Sequence, residues 1–450
     1  INMEGKLMKK CILLILVMVF ALSAISCSMP VTESSQPAEA TEAPETTENA
    51  QADVQPTEEV TLTMMVDSSR TLDGINAICE LAKEKLGITV EIETYLGGEE
   101  GDNLIKTRLA AGEQSDLIIY NSGSLLGALN PQEYFIDISG EPMAANLDDA
   151  FKKAVTIDGK VYGIPAVSSQ AGAILYNKEM YEKYNLQVPT TWDEFISNCE
   201  VLKAAGETAL IGAFGDSWTA QVLYLGDHYN VVAENPNFAA DFTAGTAKYA
   251  TTPAALRSFE KLEQTKPYYN EDALATTYDT ACDKLVNGEG AHWIMLTQAL
   301  SNIYSLYGED VNKLGVFAIP GDDANNAGLT VWMPAGLYGS KNSDKVDAIK
   351  RFMEFYISSE ALDAYTSKIL PDGPYCVKGY SLPDNVYEGV NDEQAYFDAG
   401  KIVSALEFES PVKGPNCAAI CQAAASGQMN AEEAAKAYDT DCLKQAIQLG

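Results

Sequence analysis

The chain has 450 residues, enough for two domains with cores of their own, and 46% of its residues are hydrophobic, as in ordinary globular proteins. Its 64 acidic residues against 30 basic ones give a formal net charge of −34 at pH 7. A surface this negative argues against a nucleic-acid partner, and it also argues against attachment to an anionic bilayer by charge alone.

A short apolar segment near the N-terminus predicts export. Lys9 and Lys10 precede an uninterrupted apolar run at 11–22, and mostly small residues then lead to Cys27. This order is typical of a secretory signal peptide, and the run is too short to serve comfortably as a membrane span. We expect translation to begin at Met8 and residues 1–26 to form the signal peptide.

The residues before Cys27 predict a lipid anchor. Residues 24–27 read Ala-Ile-Ser-Cys and resemble the bacterial lipobox, with Ala24 where Leu is usual. The resemblance implies cleavage before Cys27 and acylation of its sulfur and its new amino group. The alternative is an ordinary signal peptide that happens to contain a cysteine. Contact with the membrane is expected through this lipid alone.

Residues 27–58 are expected to carry the lipid and a disordered linker. After Cys27 the segment consists largely of Ser, Thr, Pro, Ala and Glu and has no apolar period. Such a composition cannot bury enough surface to fold. As a flexible chain of about thirty residues it would reach roughly 30 Å.

From residue 60 onward, strand patterns alternate with helix patterns. The predicted elements of this first part are strands at 60–66, 88–92 and 116–120 and helices at 75–86 and from Asp102. The strand at 116–120 is apolar on both faces, as a buried parallel strand requires. Successive units of this kind predict a doubly wound α/β sheet, in which ligands bind beyond the carboxyl ends of the strands.

The later part continues the alternation. A capping box at 191–194 predicts a helix to about residue 202, because Thr191 and Glu194 have the spacing that satisfies the first turn. The other predicted elements are strands at 208–214 and 314–319, a loop at 215–218 and an amphipathic helix at 346–357.

The cysteines do not predict a disulfide framework. Of the nine, Cys11 lies in the signal and Cys27 at the anchor, which leaves an odd number in the body. Cys417 and Cys421 have the spacing of a metal half-site, but no histidine lies nearby, and small buried side chains are the favoured interpretation. We expect no metal and no cofactor.

Seven sequence blocks carry a family resemblance. They are residues 107–116, 158–165, 174–180, 189–195, 288–292, 314–320 and 352–360. In this order they resemble the family 1 extracellular solute-binding proteins, although His292 stands where the family usually has Met. The resemblance covers most of residues 60–440.

The resemblance implies a two-lobed clamp of the periplasmic-binding-protein type II, α/β class, in which doubly wound sheets are joined by hinge crossings. Lobe 1 is expected to comprise 59–166 and 319–358, and lobe 2 to comprise 167–318 and 359–450. We place the crossings near 165–170, 316–320 and 358–365. A ligand would bind between the lobes and shift the hinge equilibrium toward a closed form.

The resemblance also implies a function. We expect a monomeric, extracytoplasmic lipoprotein that captures a mono- or oligosaccharide and delivers it to the permease of an ABC importer. ATP hydrolysis is expected in separate subunits, because the chain has no G-x-x-x-x-G-K-[ST] motif. The chain is therefore not expected to be an enzyme.

Sugars present C–H faces that stack on aromatic rings and hydroxyls that donate and accept, so the site needs aromatic and polar side chains together. Trp218 is the first candidate, since a maltose-binding relative places a stacking aromatic there, and the alternative is a core tryptophan. Gln298 replaces a stacking tryptophan of that relative, which favours a smaller or more polar sugar than a maltodextrin. The full set of candidates is Asp67, Ser68, Asn121, Ser122, Ser169, Gln170, Asp216, Trp218, Gln298 and Trp332.

Alternatives come from other functional classes. A lipid-anchored hydrolase would need a pair of carboxylates, and so acidic a chain offers many. However, the sequence contains no nucleophile motif, and its only histidines are His228 and His292. A module that presents its ligand to a sensor kinase would use the same clamp. Within the binding class, the neutral and acidic loops favour a neutral or cationic ligand over an anion.

Overall fold

Two β-sheets organise the part of the chain that the structure describes. The structure is a computed structural model that describes residues 59–68, 70–96 and 98–449. The predicted signal peptide, Cys27 and the linker lie outside these residues. The strands are β1 Val60–Asp67, β2 Ile88–Tyr95, β3 Leu117–Tyr120, β4 Thr156–Ile157, β5 Lys160–Val161, β6 Gly163–Pro165, β7 Gln170–Asn177, β8 His292–Leu296, β9 Leu314–Ala318, β10 Leu329–Trp332, β11 Gly336–Gly339 and β12 Ile402–Ser404.

Helices separate most of these strands. They are α1 Asp73–Leu86, α2 Gly98–Ala111, α3 Ser124–Gly127, α4 Pro131–Tyr134, α5 Pro142–Ala145, α6 Asp149–Ala154, α7 Lys178–Tyr184, α8 Trp192–Ala204, α9 Val222–Gly226, α10 His228–Glu234, α11 Phe238–Thr243, α12 Pro253–Thr265, α13 Tyr278–Val286, α14 Ala299–Tyr307, α15 Val346–Tyr356, α16 Ser359–Thr366, α17 Glu388–Asp398, α18 Leu406–Glu409, α19 Cys417–Ala425 and α20 Ala431–Leu449. None of the helices among the described residues has the length and apolar character needed to cross a membrane.

The first sheet has the strand order β2-β1-β3-β11-β6. β1 pairs in parallel with β2 and β3, whereas β11 runs antiparallel to β3 and β6. All four side chains of β3 are buried, in agreement with its two apolar faces. This sheet and the helices packed on it form the first lobe.

The second sheet has the order β12-β10-β7-β8, and β9 also pairs with β7. The long strand β7 is its centre, because β10, β8 and β9 all pair with it antiparallel. Its side chains are buried almost throughout. This sheet and its helices form the second lobe.

Local sequence signals placed most elements correctly. The strands β1, β2, β3 and β9 and the helices α1, α8 and α15 lie where the patterns predict them. The capping box of α8 forms as expected. Gly87 ends α1 in the left-handed conformation, with φ of 69°, which a glycine adopts without strain.

Two local predictions are wrong. Residues 208–214 form no strand, and only Leu210 makes isolated bridges, to Tyr269 and His292. Asp102 does not cap a helix, because α2 already begins at Gly98. Its carboxylate instead accepts a hydrogen bond of 2.7 Å from the hydroxyl of Tyr120.

The second hinge crossing lies later than predicted. Pro320 and Gly321 end β9, but the chain stays in the second sheet through β10 and reaches the first sheet only at β11. The crossing is therefore at 333–335, and 319–332 belong to the second lobe. Pro320 and Gly321 form a loop inside that lobe, where the N–H of Trp192 donates to the carbonyl of Gly321 at 2.8 Å.

The third crossing also lies later than predicted. Helix α16, expected in the second lobe, packs against α1 of the first. The contact is close, because a Cβ added at Gly74 would lie 2.7 Å from the ring of Tyr365. The chain then returns to the second lobe, where α17 packs against β9.

One buried ion pair of the second lobe lies next to the loop at Pro320. The ammonium of Lys261 lies 2.5 Å from Asp227, and both side chains are 1% exposed. Lys261 also donates to the carbonyl of Pro320 at 2.7 Å, and Ser258 donates to Asp227 at 2.7 Å. The indole of Trp192 lies 5.0 Å from the same ammonium. Every charge in this group is thus compensated.

Replacing Lys261 by Met should lower the free energy of unfolding by about 3–5 kcal/mol, because Asp227 would stay buried without a cation. Chemical denaturation measures this change. Lys436, which pairs with Glu432 on the surface, is the control, and Lys436→Met should change stability little. A Lys261 variant as stable as the control variant would contradict this account of the pair.

Candidate functional site

The carboxyl ends of two first-lobe strands place four predicted residues at one edge of the sheet. Asp67 ends β1, and the N–H of Ser68 donates to the carbonyl of Tyr95 at 2.8 Å. Asn121 and Ser122 follow the neighbouring strand β3. Asn121 and Ser68 are exposed at this edge.

Ser122 and Ser169 are buried. They form hydrogen bonds to hinge segments and do not lie on an open surface. The hydroxyl of Ser122 donates to the carbonyl of Pro334 at 3.0 Å, in the second crossing. The hydroxyl and the N–H of Ser169 both donate to the carbonyl of Pro374, at 2.6 and 3.0 Å. Both serines therefore shape the hinge.

An aromatic pair stands in the second lobe. The rings of Trp218 and Tyr278 are 5.6 Å apart with an interplanar angle of 29°. Trp218 remains 36% exposed, so much of its ring stays uncovered. Asp216 fixes the pair, because its carboxylate accepts the backbone N–H of Tyr278 at 2.7 Å. Behind them, Trp293 of β8 is buried 5.2 Å from the Tyr278 ring.

Tyr278 connects this pair to polar groups. Its hydroxyl donates to Asn302 at 3.1 Å. Burial raises the pKa of the Tyr278 phenol above its usual value, the nearby Asp372 carboxylate adds to the rise, and the neighbouring Gln298 opposes it. Gln298 and Asp372 therefore lie around the same phenol.

Asp372 joins the site to the first hinge crossing. It lies 3.5 Å from the side-chain nitrogen of Gln170, at the start of β7, and its backbone N–H donates to the hydroxyl of Ser168 at 3.3 Å. Burial raises the pKa of Asp372 to about 6, although Ser301 and Gln170 oppose the rise. The aromatic pair and the predicted hinge residue Gln170 thus belong to one cluster.

Trp332 of β10 lies beside Gln170 of this cluster. It is the register partner of Gln170, and its ring covers Gly172, where an added Cβ would lie 2.7 Å from the ring. Its indole N–H donates to Glu407 at 2.7 Å, and Lys413 pairs with the other oxygen of Glu407. Gly172 is required here because a larger residue would displace the indole.

Helix α18 links this second-lobe group to the first lobe. Ser124, which begins α3 beyond β3, donates to the backbone carbonyl of Glu407 at 2.9 Å. Lys153 of α6 pairs with Glu409 at 2.9 Å. The strand ends of the first lobe and the Trp332 side of the second therefore meet at α18.

Three residues of the cluster were missed from the sequence. Tyr278 begins a helix, Asp372 follows a proline in a loop, and Glu407 lies in a one-turn helix, so no strand-end pattern marked them. The Pro371-Asp372-Gly373-Pro374 segment was the one available signal, since it predicts a fixed turn.

Histidines and cysteines take no part in the cluster. His292 and Trp293 are buried in β8, and burial lowers the pKa of His292 to about 4. Cys417 and Cys421 are buried free thiols, which agrees with the favoured interpretation. No group of metal-binding side chains occurs within residues 59–68, 70–96 and 98–449.

The sequence matches the family model of the bacterial extracellular solute-binding proteins over residues 69–363. The multiple sugar-binding protein of Streptococcus mutans is 31% identical over 121 residues, 27% of this chain and 29% of that protein. The melibiose/raffinose/stachyose-binding protein MelE of Bacillus subtilis is 25% identical over 150 residues, 33% of this chain and 34% of that protein. The aligned region therefore spans about a third or less of these relatives.

A solved structure shows the same fold over the whole body. The bacterial solute receptor AcbH, described as having an exclusive preference for β-D-galactopyranose, superposes with a TM-score of 0.73 at 16% identity, covering 87% of this chain and 100% of that one. The two-sheet α/β architecture is thus that of solute receptors. Because the family model matches well over half of its length, the chain belongs to the bacterial extracellular solute-binding protein family. It is a binding protein rather than an enzyme, and the hydrolase alternative is not supported.

Proposed function

We propose that this solute-binding protein captures a carbohydrate between its two lobes and delivers it to the permease of an ABC importer. The observation that carries the proposal is the partly exposed Trp218 ring stacked on Tyr278, whose phenol lies near the amide of Gln298 and the carboxyl of Asp372. A sugar ring needs this combination of an apolar face and hydrogen-bonding groups. The names of the S. mutans and B. subtilis relatives and of AcbH support a sugar as the ligand.

The polar groups divide into two roles. Gln298 and Asp372 lie near the phenol of Tyr278, Gln170 lies beside Asp372, and all three would contact the ligand's hydroxyls. Asp216 instead positions the aromatic pair through the backbone of Tyr278. Trp332 lies on β10, next to β7, and its indole N–H donates to Glu407. It would offer a second apolar face to the ligand.

The first lobe would complete the site on closure. Asp67, Ser68 and Asn121 lie at the carboxyl ends of β1 and β3, which is where ligands bind in sheets of this kind. A ligand held by both lobes binds the closed form more tightly than the open form and therefore shifts the hinge equilibrium toward it. The closed clamp would then dock on the permease.

A lipid on Cys27 would keep the protein at the cell surface, with residues 28–58 as its tether. The signal-like run and the Ala-Ile-Ser-Cys motif support this part of the proposal. The acidic body gives no electrostatic attraction to anionic lipid, so attachment would depend on the acyl chains.

A thermal-shift panel tests the ligand class. Galactose, melibiose, raffinose, stachyose, a cationic peptide and spermidine are each added to the folded chain. A ligand at 100 times its dissociation constant stabilises the native state by about 2.7 kcal/mol, which raises the melting temperature by a few degrees. We expect at least one sugar to produce this shift. A shift with the peptide or spermidine alone would contradict a carbohydrate ligand.

Removing the Trp218 ring should abolish most of the sugar affinity. We expect Trp218→Ala to weaken binding about tenfold or more, because stacking contributes on the order of 1 kcal/mol beyond the apolar area it buries. The exposed ring contributes little to stability, so the free energy of unfolding should fall by less than about 1 kcal/mol. Calorimetric titration and denaturation measure both quantities.

The conservative variant is the control. Trp218→Phe keeps an aromatic face and should recover much of the affinity, whereas Tyr184→Ala, on α7 away from the cluster, should bind as the wild type does. Equal affinities of wild type and Trp218→Ala would refute the platform.

Substituting the acylated residue should release the protein. Cys27→Ala expressed in a bacterial host should move the protein from the membrane fraction to the soluble exported fraction, since a hydrophobic anchor is lost. Metabolic labelling with a fatty acid and fractionation measure this directly. Wild type that takes up no label, or a variant that stays with the membrane, would contradict the anchor.

A further inference from the structure

Two buried carboxyl groups at the third crossing have oxygens without a hydrogen-bond partner among the described residues. Glu393 of α17 is 0% exposed, and neither of its carboxyl oxygens has a hydrogen-bond partner among the described residues. Asp372 lies in the third crossing, and its Oδ1 is likewise enclosed and unpartnered there. Burying an ionised carboxylate without donors is costly, so burial favours the protonated form of both groups.

Glu393 lies directly against the crossing. A Cβ added at Gly373 would be 2.9 Å from Oε2 of Glu393 and 2.6 Å from the carbonyl oxygen of Ser169. The carboxyl of Glu393 and the backbone acceptor of Ser169 therefore both border Gly373, where no side chain would fit. A neutral acid can donate to such a surface, whereas a carboxylate would be repelled by it.

Asp372 belongs at the same time to the proposed ligand cluster. Its Oδ2 lies 3.5 Å from the side-chain nitrogen of Gln170 and the side chain neighbours Tyr278, whereas Oδ1 has no donor among the described residues. A sugar hydroxyl admitted beside Tyr278 would supply the donor that Oδ1 of Asp372 lacks, whereas Glu393 is fully buried. Hydrogen bonds from a ligand favour the ionised form of the acid that accepts them.

We propose that ligand capture is coupled to the ionisation of Asp372, which accepts a hydroxyl of the ligand. Glu393 stays neutral and positions the crossing. This inference rests on the proposed function, because it assigns a ligand contact and a regulation to the same site.

The electrostatics of the pair agree with this division. Burial raises the pKa of Glu393 well above its usual range, and Asp372 and Asp392 add to the rise. Burial raises the pKa of Asp372 only to about 6, so Asp372 is the first to ionise as pH increases. Other groups that face the pair or its immediate neighbours are Thr297, Ser301, Gln170, Tyr278, Tyr365, Tyr375, Tyr387 and, beside Tyr365, Arg70.

The ligand-free protein gives the first test. Both acids have folded-state pKa values above their unfolded values, so they stabilise the protein fully at low pH and lose this contribution as pH rises. Relative to wild type, Glu393→Gln and Asp372→Asn should therefore become more stable as pH increases from about 4. The gain should level off near pH 6 for Asp372→Asn and continue beyond it for Glu393→Gln.

Asn391→Ala is the control, since Asn391 is exposed on α17, the helix of Glu393, and the substitution changes no ionisable group. Its melting temperature should run parallel to that of wild type at every pH. Profiles of Glu393→Gln and Asp372→Asn that also run parallel to wild type would overturn the proposal.

Ligand binding gives the second test, with raffinose, melibiose and galactose as probes. Protonation of a group with a pKa near 6 makes wild-type affinity about tenfold weaker at pH 5 than at pH 7.5. Asp372→Asn should bind weakly and equally at both pH values. Binding that does not change with pH in wild type overturns the coupling alone. Binding of no sugar at either pH, or in the wider panel, contradicts the proposed function and the coupling with it.

Discussion

The pairing of two hinge crossings at Ser169 and Pro374 is the constraint on which the arrangement of the lobes depends. Ser169 commits both its hydroxyl and its N–H to one carbonyl, and Gly373 leaves no space between the segments. The residues that follow are fixed as a result: Gln170 opens the central strand of the second sheet, and Asp372 lies beside it. The hinge and the proposed binding cluster are thus built from the same few residues, so a ligand that contacts the cluster also contacts the hinge.

The fold could be predicted wherever its determinants are local. Apolar periodicity marked β1 and β3, and a capping box marked α8, because burial and first-turn hydrogen bonds are set by neighbouring residues. The crossings were harder. Pro320 and Gly321 were interpreted as a hinge. Their carbonyls instead accept hydrogen bonds from Lys261 and Trp192, which are distant in sequence. Which lobe a segment joins depends on such long-range partners, and a single sequence does not display them.

The candidate site shows the same division. Trp218, Gln298 and Gln170 were found by resemblance, and the structure places the first two around Tyr278 and the third beside Asp372. Tyr278 and Asp372 themselves carry no motif, and their importance comes only from what packs around them. Ser122 and Ser169 are buried and have structural roles, and the sequence of a polar loop does not show such burial. The predicted residues Trp218, Gln298 and Gln170 therefore lie in one part of the molecule together with Tyr278 and Asp372, which only their three-dimensional neighbours single out.

The central claim is that a sugar binds between the lobes with Trp218 as its platform. A crystal structure of the chain with the sugar that raises its melting temperature most would test it directly. We expect the sugar ring to lie parallel to the Trp218 indole at van der Waals distance, with a hydroxyl within hydrogen-bond distance of Asp372. A sugar bound away from the interlobe cleft, or one in the cleft that touches neither residue, would contradict the account.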